Sequence, residues 1–356
     1  MSAVAPPRPA MEVPPSGRLA QGRYVVRPQH VIVALLLLIY PLLASDFWTL
    51  QIGAQSLLLG VIALSLMFLA GYGGMVSLAQ MTVAGLSAYM MAILGVSAIP
   101  LSLGWPWWVV VPLSLAIATL FATFVGALSV RTEGIYTIMI TLAIGMAAFY
   151  LAQQNYTVFN GFDGFKGLEP PVLFDVNWRE PLAFYYLCLT VAALCYCAVL
   201  YLSRSTFGLS MQAIRDNPRR MRALGFNVNL HRIAAYSIAG FIAALGGVLS
   251  AWYNGRVSPG SIGIHSIIAI LIIGVMGGLR HPVGPFVGAI VFVLLQTFAI
   301  DFIDRERFNT LIGTVFLLTV LFSSDGLLGL WADLRERLTA LRSRPRRRAA
   351  QNAKRR

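Results

Sequence analysis

The sequence predicts an all-α polytopic membrane protein of about ten spans, with both termini on the cytoplasmic side and some helices broken by glycine. Three observations predict it. Of 356 residues, 58% are hydrophobic and 12% charged, with a mean hydropathy of +0.73, whereas globular domains carry about 25% charged residues. The apolar runs are continuous rather than alternating, which excludes a barrel. Backbone in lipid must satisfy its own hydrogen bonds, so these runs are helices.

Taken in order, residues 1–30 are Pro-rich and too long for the n-region of a signal peptide, so they read as a cytoplasmic arm. The transmembrane domain is predicted over 31–325, with spans at 31–49, 55–73, 76–96, 107–130, 133–152, 182–202, 232–252, 264–279, 283–300 and 307–325. Residues 326–356 form a basic cytoplasmic tail. With both ends inside, 22 of the 27 Lys and Arg fall on the cytoplasmic side. Lys166, Arg179, Arg256, Arg305 and Arg307 fall outside, as the positive-inside rule requires. Trp105, Trp107 and Trp108 then lie at the outer interface as an aromatic belt. The longest outer connection, 154–181, reads either as a docking surface for an external partner or as a plain connector.

Composition and motifs exclude several classes. The net charge of +13 would suggest nucleic acid in a soluble chain, but here the arginines gather in cytoplasmic loops and tail, and no nucleic-acid partner is expected. Anionic membrane lipid is the natural partner of the tail. Cys188, Cys195 and Cys197 share one apolar span and the four histidines are scattered, so neither a disulfide framework nor a metal site is expected. Lys166 and Lys354 are the only lysines, and neither sits in a phosphate-cradling loop. No catalytic constellation is visible, so the chain reads as neither an enzyme nor a cofactor binder. The spans are nearly free of ionisable groups, with Asp46, Glu133 and His265 near ends. That argues against a proton-coupled carrier, although sodium sites built from backbone and hydroxyl oxygens escape this test.

Two regions carry the functional argument. The loop 203–232 contains the segment Arg204–Asn229, which reads as two short helices. Asn217 caps the second, Pro218 fits its first turn, and Gly225 stops it in the left-handed conformation. Met221 and Leu224 share a face at i, i+3. The segment reads as a rigid cytoplasmic element that receives a push from a soluble motor, or as a solvated loop held inside by its charge. The glycine-rich regions are Gly71–Tyr89 and Gly274–Gly288. In each, a Gly pair is followed eleven positions later by a lone Gly: Gly73-Gly74 by Gly85, and Gly277-Gly278 by Gly288. Paired interrupted helices mark substrate sites in transporters, and small residues also serve close helix packing; both readings are open. The polar Ser77, Gln80 and Thr82 point inward under either.

These segments resemble the M-type permease subunits of branched-chain amino acid ABC importers. The resemblance rests on Ser77-Leu78-Ala79-Gln80 within Gly71–Tyr89, on Arg131–Leu142, on Phe159–Gly167, and on Ala213-Ile214-Arg215-Asp216-Asn217 followed by Ala223-Leu224-Gly225. Val257-Ser258-Pro259 and Gly277–Gly288 complete it, in the family's order, over residues 55 to 325. Pro218-Arg219-Arg220 and Arg280-His281-Pro282 depart from the family pattern. The resemblance implies an import pathway for small aliphatic amino acids in a bacterial-type inner membrane. It implies a second related permease, two ATPase subunits that bind the ATP, and an external binding protein. It also assigns coupling to Ala213, Ile214, Arg215, Asp216, Asn217 and Gly225. A pathway through the glycine-rich spans would involve Gly73, Gly74, Ser77, Gln80, Thr82, Gly85, Gly277 and Gly278. Asp216 either pairs with a motor-side cation or caps its own helix. Competing readings are a urea or short-amide importer, a self-contained channel or ion-coupled carrier, and a membrane scaffold.

Overall fold

The computed structural model describes residues 28–95, 102–132, 134–171 and 178–302, with short pieces at 313–314, 317, 326–327 and 329. Most of the predicted arm, tenth span and tail, and Glu133, lie outside the described residues. Helix α1 (Pro28–Leu43), with Pro41 inside it, is a unit of its own.

In the second unit, α2 (Gln55–Met67) sits between π-turns at Trp48–Ala54 and Phe68–Tyr72, giving one continuous helix over Trp48–Tyr72. It begins at residue 48 rather than 55 because Gly53 is absorbed into the first π-turn. Its most apolar stretch is 83% buried, so it is the hub of the bundle. The corresponding stretches of α4 (Trp107–Ser129), α5 (Ile135–Gln154) and α7 (Pro181–Arg204) are 33%, 22% and 33% buried and lie at the periphery. The exposed faces of α4 and α5 carry Leu120, Phe124, Ile135 and Met139, the apolar exterior expected of helices that face lipid.

Among the described residues, one two-stranded pair is the only sheet and the other regular elements are helices. After α3 (Gln80–Leu94) and α5 comes the short α6 (Tyr156–Phe159), then β1 (Phe165–Lys166). Beyond α7 lie α8 (Thr206–Asp216), α9 (Pro218–Ala223) and α10 (Val228–Asn254), followed by β2 (Arg256–Val257), a 3₁₀ turn at Pro259–Ile262, α11 (Ile264–Gly277) and α12 (Gly284–Phe302). Among the described residues, five helices are long and apolar enough to cross a membrane: Trp48–Tyr72, α4, α5, α7 and α10. Helix α3 has 15 residues, about 22 Å at 1.5 Å per residue, less than the ~30 Å hydrocarbon core. It starts at 80 rather than 76 because residues 74–79 are not helical. Its last carbonyls are met from the returning chain: Leu103 N–H donates to Ile93 O and Trp105 N–H to Leu94 O.

Helix α10 packs on α4, α3 and α2. Ser87 Oγ donates to Ala244 O at 2.8 Å across the α3–α10 seam, and Thr123 and Ser237 hydroxyls meet at 2.7 Å across the α4–α10 seam. Such bonds join helices where lipid offers no hydrophobic drive. The first part of the 154–181 connection, up to residue 171, is packed: Phe165 and Leu168 are buried, β1 pairs antiparallel with β2, and Tyr89 holds Phe159 and Phe165 edge-on.

Gly240 sits against Ala122 on α4. Gly240→Leu is expected to overpack this seam by roughly 1–3 kcal/mol and lower the melting temperature in detergent. Leu120→Ala, on the exposed face, should leave it within error.

Candidate functional site

Helix α8 begins where Ser205 Oγ accepts from Gly208 N–H at 3.2 Å. Its apolar residues recur at Met211 and Ile214, both fully buried. Met211 joins Phe68, Leu69 and Met75 in the central core, and Ile214 packs with Met221 and Val228, which pins α8, α9 and the start of α10 together. Asn217 Oδ1 accepts from Arg220 N–H at 3.0 Å, Pro218 is the first residue of α9, and Gly225 has φ +88° in open space. Asn227 caps α10 in the same way, through Leu230 N–H. The expected face of Met221 and Leu224 divides: Met221 is buried, whereas Leu224 is 65% exposed because α9 ends at Ala223 and the chain turns there.

Arg215 is the centre of the site. Its guanidinium donates to the carbonyl oxygen of Gly71 through Nη1 and to Asp216 Oδ1 through Nε at 3.1 Å. Its aliphatic stem covers Gly74, where a Cβ would lie 2.5 Å from Arg215 Cγ. Gly74 has φ +66°, in the left-handed region that penalises any side chain. Gly73 adjoins the methyl of Met211. Helix α8 and the first glycine pair, distant in sequence, thus touch directly. Gly71 also touches the second glycine region, because a methyl placed on it would strike the Leu279 carbonyl.

Residues 73–79 connect the end of the hub helix to α3. Leu78 N–H donates to Thr141 Oγ1 of α5 at 3.1 Å, and Thr141 returns its proton to its own helix. Ser77 and Gln80 are buried. Ser65 Oγ lies 2.6 Å from Ile62 O and 3.1 Å from the Gln80 amide. Ser65 has one proton, so the pair is satisfied when that proton goes to Ile62 and the Gln80 amide presents its NH₂. Thr82 Oγ1 is buried and has no partner among the described residues. Gly85 packs against Ile262 and lines a cavity at the far end of α10. Gly277 packs backbone to backbone on Gly284 and Gly288, and Gly278 caps α11 at φ +109°. Ala213 is half-buried beside Ile214, and Asp216 and Asn217 are exposed.

Three functional contacts escaped the sequence. Met211 was legible as the i−3 partner of Ile214 on an apolar helix face. Thr141 had no local signal. Arg232, assigned to the loop, is buried in the first turn of α10, one turn before the buried Tyr236. Among the described residues no group of His, Cys, Asp and Glu could hold a metal ion.

The comparisons with known proteins bear on this arrangement. A family model described as "Branched-chain amino acid transport system / permease component" matches residues 48–321. The chain belongs to this family. Both glycine regions, α8 and α9 fall inside the matched span. The chain is 23% identical over 291 residues to the high-affinity branched-chain amino acid transport system permease protein LivM of Escherichia coli, covering 75% of this chain and 65% of the relative. It is 29% identical over 224 residues to the autoinducer 2 import system permease protein LsrC of an Enterobacter species, covering 58% and 63%. It is 21% identical over 320 residues to the ribose import permease protein RbsC of Haemophilus influenzae, covering 86% and 95%. No solved structure matches. The chain is thus a multi-pass membrane permease component, in a family whose relatives are named for unlike cargoes.

Arg215→Met keeps the stem over Gly74 and removes the donor to Gly71. Faster amide exchange is expected across 206–216 and 72–75 in hydrogen-exchange mass spectrometry, with exchange in α4 unchanged. Gly74→Ala should do the same, since the left-handed conformation costs a side chain about 1–2 kcal/mol. Unaltered exchange in both would remove Arg215 from its central place.

Proposed function

We propose that this chain is the membrane-spanning subunit of an ATP-driven importer for branched-chain or other small aliphatic amino acids. It lies in a bacterial-type inner membrane with both ends in the cytoplasm and about ten membrane segments, some of them broken helices. The observation that carries the reading is the Arg215–Gly71–Leu279 contact. One short cytoplasmic element thereby holds the first glycine-rich region, and Gly71 in turn lies against the Leu279 carbonyl of the second. A push on α8 and α9 moves Arg215 and Met211, and both sit on the non-helical break that joins the hub helix to α3.

The motor is a pair of separate ATPase subunits docking on the outward side of α8 and α9. That side presents Asp216, Arg219, Arg220, Arg222, Leu224 and Phe226, all exposed. Asp216 is shared: it pairs with Arg215 within the chain and stays open to a partner cation. A second related permease completes the pathway, and an external binding protein delivers cargo to the packed surface formed by 154–171 and 255–263. The family description and the printed name of the E. coli relative support branched-chain amino acids as cargo, as does an interior in which Arg232 is the one buried charge among the described residues. A pathway lined by small and aliphatic groups holds cargo weakly enough to release it.

The test is uptake into proteoliposomes carrying the chain with its partner subunits, using labelled L-leucine beside ribose and urea. Arg215→Ala is expected to cut ATP-driven leucine uptake by about 5–150-fold, the range of a 1–3 kcal/mol coupling energy, while ATP hydrolysis continues. Undiminished uptake would sink the coupling role. Uptake by the chain without ATPase subunits would favour a self-contained carrier, and preferred uptake of urea or ribose would reassign the cargo.

A further inference from the structure

At the end of α10 away from α8, a cavity of about 180 Å³ lies between α2, α3, the last turns of α10 and the segment that follows it. The cavity reaches Ile62 on the hub helix, nine residues from Gly71 and about 14 Å along the helix axis. Its lining is apolar at Ile62, Gly85 and Ala88 of α2 and α3 and at Ala251 and Val257 of α10 and β2, and polar at Asn254, Arg256 and Ser258. The volume suits a molecule slightly larger than benzene, which fills a cavity of about 150 Å³.

The polar side is unbalanced. Arg256 stands directly opposite Lys166 in the β1–β2 pair, and neither has a carboxylate partner among the described residues. Two cations facing each other across a strand pair repel, and an anion beside them removes that cost. Asn254 is fixed the other way round. Its Nδ2 donates to Ser250 O at 2.9 Å and to Ser250 Oγ at 3.2 Å, which leaves Oδ1 to accept. The cavity therefore offers a cation for a carboxylate, an acceptor for an ammonium, and an apolar wall for a short side chain.

We infer that this cavity is a subsite for a free aliphatic α-amino acid, with Arg256 as the carboxylate-recognising residue and Asn254 Oδ1 receiving the ammonium. The ligand class rests on the import reading above. The geometry of the subsite does not depend on how α8 couples.

The test uses the full chain in nanodiscs of uncharged lipid, with binding of L-leucine, L-leucinamide and inorganic phosphate followed by saturation-transfer NMR. L-leucine is expected to bind, and L-leucinamide, which lacks the carboxylate, to bind at least about tenfold more weakly. Arg256→Gln should weaken L-leucine by a similar factor without altering the helical circular dichroism, and Arg256→Lys should recover part of the loss. The inference is overturned if Arg256→Gln binds L-leucine as the parent does, if L-leucine does not bind the parent at all, or if phosphate binds as tightly as L-leucine, which would mark a simple anion patch. Parallel uptake measurements separate the two readings. A complex that imports L-leucine equally well with Arg256→Gln keeps the import function and loses the subsite. A chain that binds L-leucine through Arg256 but whose complex imports none keeps the subsite and loses the import function.

Discussion

A helix that stops within a bundle leaves backbone polar groups without helical partners, and the structure around Gly71 follows from that constraint. The hub helix ends at Tyr72, and residues 74–79 are not helical before α3 begins at Gln80. The Gly71 carbonyl is met by Arg215 from α8, and the Leu78 N–H by Thr141 from α5. The break is thus held from two sides by elements distant in sequence. Once Arg215 must reach Gly71, its stem has to cross Gly74, so that position must lack a side chain. Met211, one turn earlier on α8, fills the space beside Gly73.

Arg215 makes two polar contacts, and both are weak ties. Its pair with Asp216 is largely exposed, and exposed ion pairs contribute about 0–1 kcal/mol. The bond to Gly71 is exposed as well, so water can take its place and its loss strands no acceptor. Asp216 can exchange partners at small cost, and α8 is tied to the bundle chiefly by the buried Met211 and Ile214. Leu279 lies on the other side of Gly71, and Gly277 is locked backbone to backbone on Gly284 and Gly288. No side chain lies between Gly71 and the Leu279 carbonyl, so the two breaks meet backbone to backbone.

The local chemistry of the coupling element was legible in sequence. Asn217, Pro218 and Gly225 play the cap, first-turn and stop roles their residue types suggest, because such roles depend on neighbours three or four positions away. The face assigned to Leu224 failed because the helix ended one residue earlier, and only the tertiary fit of Met221 with Ile214 and Val228 fixes where it ends. The matched spacing of the two glycine regions gave no hint that they differ. Gly74 is a left-handed position under an arginine, whereas Gly277 and Gly288 are a contact between two helix backbones. Spacing records where a side chain is absent, and the neighbour that requires its absence is written elsewhere in the chain. Thr141 was out of reach for the same reason, since a threonine within an apolar span looks alike whether it serves its own helix or a foreign amide.

Helices α8 and α9 are divided between two tasks. Met211, Ile214 and Met221 face inward and fix the element to the bundle, so they are constrained by packing. Arg219, Arg220, Arg222, Leu224 and Phe226 face outward, and removing any of them costs the fold little. Pro218-Arg219-Arg220, where the chain departs from the pattern it otherwise resembles, opens this outward half. Complementary charge across an interface sets encounter rate and partner choice more than affinity. A basic outward half with two exposed apolar side chains is therefore complementary in charge to an acidic surface. The inward half is fixed by its packing alone and does not depend on what meets the outward one.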